Sequence, residues 1–163
     1  MPDVYGGFNT SVEYKAITLG LNFIYKIGGN LYDGAFKDMS DDGYYWERIR
    51  SESVYPNMWT PENTAGNLPL LRGTDLTDPM QYSTRQMSSA TFMRLKNINL
   101  SYDLPRSVIG KIGLTSARVF FNGSNLLTFS EYKTADPEVN QYGTRGWETP
   151  IGKIYTFGID VNF

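Results

Sequence analysis

Five stretches of this chain alternate apolar and polar residues with period two, and no other feature so constrains the fold. In 17–27, Ile17, Leu19, Leu21, Phe23, Tyr25 and Ile27 share one face, and Thr18, Gly20, Asn22, Ile24 and Lys26 the other. A helix would scatter those six residues around its axis, so a strand is expected. The C-terminus repeats the pattern, with Tyr155, Phe157, Ile159, Val161 and Phe163 set against Thr156, Gly158, Asp160 and Asn162. In 97–104, Ile98, Leu100, Tyr102 and Leu104 oppose Asn97, Asn99, Ser101 and Asp103. Phe8, Thr10, Val12 and Tyr14 oppose Asn9, Ser11, Glu13 and Lys15, and a weaker alternation runs through 117–123. With their flanks, strands are expected over about 5–15, 17–28, 92–104, 117–128 and 153–163, and the class is all-β.

Length and polarity narrow that class. Globular strands usually run about 5–6 residues, whereas a tilted membrane strand needs about 9–11. The polar faces hold Asn, Thr, Ser, Gly and Asp, which suits a wet lumen with the apolar faces turned to lipid. Residues 15–16 make a tight turn, and 105–116, opening Pro105-Arg106-Ser107, make a compact return. The stretches 30–90 and 130–152 are long. An interruption like 30–90 is improbable within a small compact domain, but short turns on one side and long loops on the other are the rule in outer-membrane barrels. Inside 30–90, Tyr44 to Ser53 could hold a short helix.

Composition closes other routes. The chain has 163 residues and neither histidine nor cysteine. A Ser-His-Asp triad, a Cys-His pair, a thiolate or imidazole metal site and a disulfide framework are all excluded. With 15 Lys+Arg against 17 Asp+Glu, the charge of −2 offers no basic footprint for nucleic acid. No apolar run approaches the ~18 residues of a spanning helix, and the start lacks a signal peptide's basic and apolar regions. Barrel strands, however, escape a hydropathy window. Rings make up 15% of the chain, so much apolar surface is buried or docked.

Aromatic residues in the long loops are the candidate substrate contacts: Tyr44, Tyr45, Trp46, Trp59, Tyr142 and Trp147. Their flat apolar faces with polar handles suit stacking on ligands such as sugars; the alternative is that they pack the loops together. Asp38-Met-Ser-Asp-Asp-Gly43 lacks the Glu a calcium loop needs at its twelfth position, which is Ile49 here, and reads as a solvated acidic turn. Asp136-Pro-Glu138 reads as turn chemistry rather than an acid/base pair. No catalytic residue, metal ligand or cofactor is nominated, and the chain is not expected to be an enzyme. A soluble all-β module that captures carbohydrate through loop aromatics is the rival reading. It explains the alternation and the rings, but not the strand length or the terminal Phe163.

Seven segments then point to a family. They are Tyr5-Gly-Gly-Phe-Asn-Thr-Ser-Val-Glu-Tyr-Lys15, Gly28-Gly29, Trp59-Thr-Pro-Glu-Asn63, Met93-Arg-Leu-Lys-Asn-Ile-Asn-Leu-Ser-Tyr-Asp-Leu-Pro105, Asn125-Leu-Leu-Thr-Phe129, Asp136-Pro-Glu-Val139 and Tyr155-Thr-Phe-Gly-Ile-Asp-Val-Asn-Phe163. In that order they resemble the C-terminal end of a SusC/RagA-type TonB-linked outer-membrane transporter. The resemblance implies the last five antiparallel strands of a plugged barrel of about 22 strands, with 30–90 and 130–152 extracellular. It implies import of oligosaccharides or other large nutrients such as peptides, driven by TonB through a plug. It also implies a SusD-like surface lipoprotein as partner. Tyr155, Phe157, Ile159, Val161 and Phe163 resemble the strand signal read by the outer-membrane assembly machinery. The family's plug domain and signal sequence are absent from this chain, so a fragment that does not function alone is expected.

Overall fold

The computed structural model describes residues 1–40, 49–71, 82–140 and 142–163. In chain order the strands are β1 (Val4–Tyr14), β2 (Ile17–Ile27), β3 (Asn30–Asp33), β4 (Met87–Ser89), β5 (Phe92–Asp103), β6 (Ser116–Ser130), β7 (Thr144–Arg145) and β8 (Ile154–Asn162). Short helices α1 (Gly34–Met39), α2 (Val54–Asn57) and α3 (Arg106–Ile109) lie between them. The residues divide into two compact units. One is Met1–Gly29 with Ala90–Pro137 and Pro150–Phe163; the other is Asn30–Ser89 with Glu138–Thr149.

The first unit is a five-stranded antiparallel sheet in the order β1-β2-β5-β6-β8. Its strands run 11, 11, 12, 15 and 9 residues, well beyond the usual globular length. The register stacks like on like. One row reads Val12, Leu19, Leu100, Phe121, Phe157, and its neighbour on the opposite face reads Ser11, Gly20, Asn99, Asn122, Thr156. Cross-strand rings tighten the apolar face: Phe8 stacks on Phe23 at 4.8 Å, and Phe121 meets Phe157 at 4.9 Å.

Alternation is interrupted once, by a bulge. Asn97 pairs with Asn22, but Leu95 pairs with Phe23, so Lys96 is an extra residue in β5. Opposite it, β6 carries Asn125 and Leu126 between the partners of Asn97 and Leu95, and Asn125 takes a positive φ of 55°. A bulge shifts the side-chain phase by one. Leu95 and Met93 therefore stay on the apolar face, and Arg94 moves to the polar one. The strand expected over 92–104 is thus two half-strands in opposite phase.

At one end of this sheet, β1 and β2 join through the two-residue turn Lys15-Ala16, and β5 and β6 through α3 and a 3-10 turn at Gly110–Ile112. At the other end the chain leaves for the second unit after β2 and after β6. The apolar face is open: Val12 is 59%, Phe157 77% and Ile159 68% exposed. Contiguous apolar area of this extent marks an interaction surface.

The second unit contains a three-stranded sheet in the order β4-β3-β7, in which β3 and β7 run parallel with Tyr32 beside Thr144 and Asp33 beside Arg145. The Asp33 carboxylate caps α1 by accepting from the Phe36 N–H at 2.8 Å. Val54 and Leu68 are buried, with Phe36 packed against them. The helix expected within 44–53 falls partly on residues 41–48, outside the described residues. Residues 49–53 are not helical, and α2 begins at Val54.

Candidate functional site

The polar face of the long sheet is a hydrogen-bonding wall. The Asn99 side-chain amide donates to Asn122 Oδ1 at 2.6 Å, and that of Asn97 to the Ser124 hydroxyl at 3.0 Å. Arg118 grips Asp103 with two parallel bonds of 2.6 and 3.2 Å, the fork geometry of a guanidinium on a carboxylate. Phe120 is the aromatic exception in this row. It lies over Gly158, whose missing Cβ makes the space for the ring. Amides, hydroxyls and one exposed ion pair line a wet surface well and offer no activated nucleophile.

Arg94, placed on this face by the bulge, is fully buried. Its Nη2 donates to Asp136 at 2.5 Å, its Nε donates to Thr128 Oγ1 at 3.1 Å, and its guanidinium lies 5.5 Å from the Phe92 ring centroid. Asp136, read from sequence as turn chemistry, thus ties the segment after β6 to β5. No sequence signal points to a pair 42 residues apart.

The candidate aromatics behave unequally. Tyr44, Tyr45 and Trp46 lie outside the described residues. Trp59 is about half exposed, and its backbone N–H is fixed to the Leu68 carbonyl at 2.7 Å. Tyr142 and Trp147 are 79% and 69% exposed, and the Trp147 indole N–H donates to Asp38 at 3.1 Å. All three belong to the second unit, but among the described residues no ring contact joins them. Glu148, beside Trp147, accepts from the Gly146 N–H at 2.7 Å. Its own backbone N–H and then that bond hold its carboxyl below the usual carboxylate range. Exposed Tyr55 and Tyr82 escaped the sequence reading; Tyr82 stacks on Tyr32 at 5.9 Å, with the Lys37 ammonium 5.1 Å from its centroid. Being isolated aromatics, they carried no pattern.

On β8, Tyr155, Phe157, Ile159 and Val161 share the apolar face, and each is at least 44% exposed. The strand pairs with β6 along one edge only among the described residues.

No family model matches the chain. TonB-dependent receptor P3 of Formosa agariphila is 32% identical over 99% of the chain, and TonB-dependent receptor P26 of the same organism 26% identical over all of it. Among solved structures, a chain of the RagAB peptide importer matches in both its open-open and its closed-closed state. Each match has 30% identity, covers the whole chain and has a TM-score of 0.83. The chain spans 16–17% of the length of these relatives.

Proposed function

The chain is homologous over its whole length to TonB-dependent receptors, and its place is with theirs in the Gram-negative outer membrane; from that premise we propose that it forms one stretch of the wall of a large nutrient-importing barrel. The observation that carries this reading is the two-faced sheet. An open apolar face matches hydrocarbon, a hydrogen-bonded polar face matches a wet lumen, and the strands are long enough to cross. The outer edges of β1 and β8 would each leave a row of backbone groups without partners in lipid, at several kcal/mol per group. Further strands on both sides, closing a barrel, satisfy them.

In this reading the 30–90 and 130–152 connections face the cell exterior and the two short connections face the periplasm. The exterior stretches carry Trp59, Tyr142 and Trp147, with Tyr44, Tyr45 and Trp46, as the contacts offered to substrate or to a SusD-like lipoprotein. The naming of the RagAB relative as a peptide importer supports peptides as cargo, and the loop rings also suit oligosaccharides. Import draws on TonB through a plug carried elsewhere in the receptor. Residues 155–163 serve first as the edge that the outer-membrane assembly machinery pairs with by strand addition.

A thiol scan tests the arrangement, because the chain has no cysteine of its own. Glu62→Cys and Thr149→Cys should react with a membrane-impermeant maleimide on intact cells. Ala16→Cys should react only after the outer membrane is permeabilised. Labelling at Ala16→Cys on intact cells, or protection of both other sites until permeabilisation, would reject this orientation.

A further inference from the structure

The small sheet of the second unit has two unlike faces. Leu31 and Asp33 of β3 and Arg145 of β7 are buried on one of them. Alternation puts Tyr32 on the other, beside its register partners Met87 of β4 and Thr144 of β7. Met87 is 50% exposed, and Thr144 is exposed as well. Tyr82, 81% exposed, stacks on Tyr32, and the Lys37 ammonium lies over the Tyr82 ring. One open sheet face therefore gathers two tyrosines, a methionine and an ammonium.

Strain and charge both set this face apart. Tyr82 takes a φ of 39°, in the left-handed region that a bulky side chain rarely enters. A ring displayed on the surface at a cost in backbone strain, where burial returns little, points to function. The Lys37 ammonium makes no hydrogen bond or ion pair among the described residues, and the Tyr82 ring holds it without neutralising it. The acid of the sheet, Asp33, lies on the buried face and caps α1, and Asp38 accepts from the Trp147 indole. The open face is thus apolar and positive, with its charge unanswered.

We infer that this face docks a protein partner at the cell exterior, the SusD-like lipoprotein. A carboxylate of the partner meets Lys37, and an apolar side chain beside it packs on Tyr82 and Met87. Tyrosine and methionine are enriched where proteins meet, whereas lysine is depleted. A lysine held among them therefore calls for a complementary charge on the other side. Cargo is favoured less, because ligands are held in clefts and cavities, and this is an open sheet face. The inference rests on the import reading and names the surface by which that partner is held.

Photo-crosslinking on cells tests it, with p-benzoylphenylalanine in place of Met87 in the full receptor carrying this chain. Irradiation should give an adduct of the receptor with a SusD-like lipoprotein, identified by mass spectrometry. Lys37→Glu should lower the adduct yield about fivefold or more, because like charges then face each other. Lys37→Arg should keep the yield. Tyr82→Gly accepts the left-handed backbone without strain. It should lower the yield about fivefold, as loss of an interface tyrosine does, without lowering the receptor's unfolding temperature. No adduct, an adduct with cargo peptide instead, or a lipoprotein adduct indifferent to Lys37→Glu and Tyr82→Gly overturns the docking surface. If the receptor still co-purifies with the lipoprotein and imports cargo, the surface alone is rejected. A receptor that does neither rejects the import reading as well.

Discussion

At the scale of single residues, the chain places its costly groups where the sheet has already prepared for them. Arg94 is a full charge with almost no exposure, and Asp136 and Thr128 answer it. Arg94→Met should therefore cost about 3 kcal/mol, the usual penalty for leaving one partner of a buried pair unanswered. The double variant Arg94→Met with Asp136→Leu should recover most of that loss. Thermal unfolding of the four members of the cycle measures it, and a double variant as unstable as the single one would contradict the pairing. None of this was legible in the sequence. Arg94 sits in a stretch whose alternation implies the opposite face, and Asp136 sits in a segment that reads as a turn.

At the scale of elements, period-two alternation was legible because each long strand has one apolar and one polar face. Ile17–Ile27 lies in the sheet from its first residue to its last. The bulge at Lys96 was not legible, because one inserted residue shifts phase without changing composition. Neither was the small sheet of the second unit: β3, β4 and β7 are 4, 3 and 2 residues long, too short to show a period. The two faces make a paired prediction. Leu21→Arg puts a charge on the apolar face near mid-strand, which the proposed barrel turns to lipid, and should cost about 2–4 kcal/mol. Asn22→Arg, one residue away on the polar face, should be nearly neutral. Unfolding of the receptor in bilayers compares them, and equal costs would contradict the assignment of faces.

At the scale of the whole molecule, few side chains of the long sheet are buried, and the proposed barrel would supply the packing that the sheet lacks. Expressed alone in water, the chain should associate through its apolar face and its two strand edges; sedimentation measures this, and a monodisperse folded monomer without detergent would contradict it. The candidate aromatics were legible as rings in loops, but that Trp59, Tyr142 and Trp147 fall in one folded unit was not, because that unit is assembled from stretches far apart in sequence. That separation has a consequence for how such receptors diversify. The parallel pairing of β3 with β7 joins residues 30–89 to 138–149 in a single folded unit, so neither stretch is an independent module. A recombination event that exchanges only one of them brings together a β3 and a β7 never selected to match. On the proposed function, grafting a new specificity means transplanting both, while the intervening long strands remain the recipient's own.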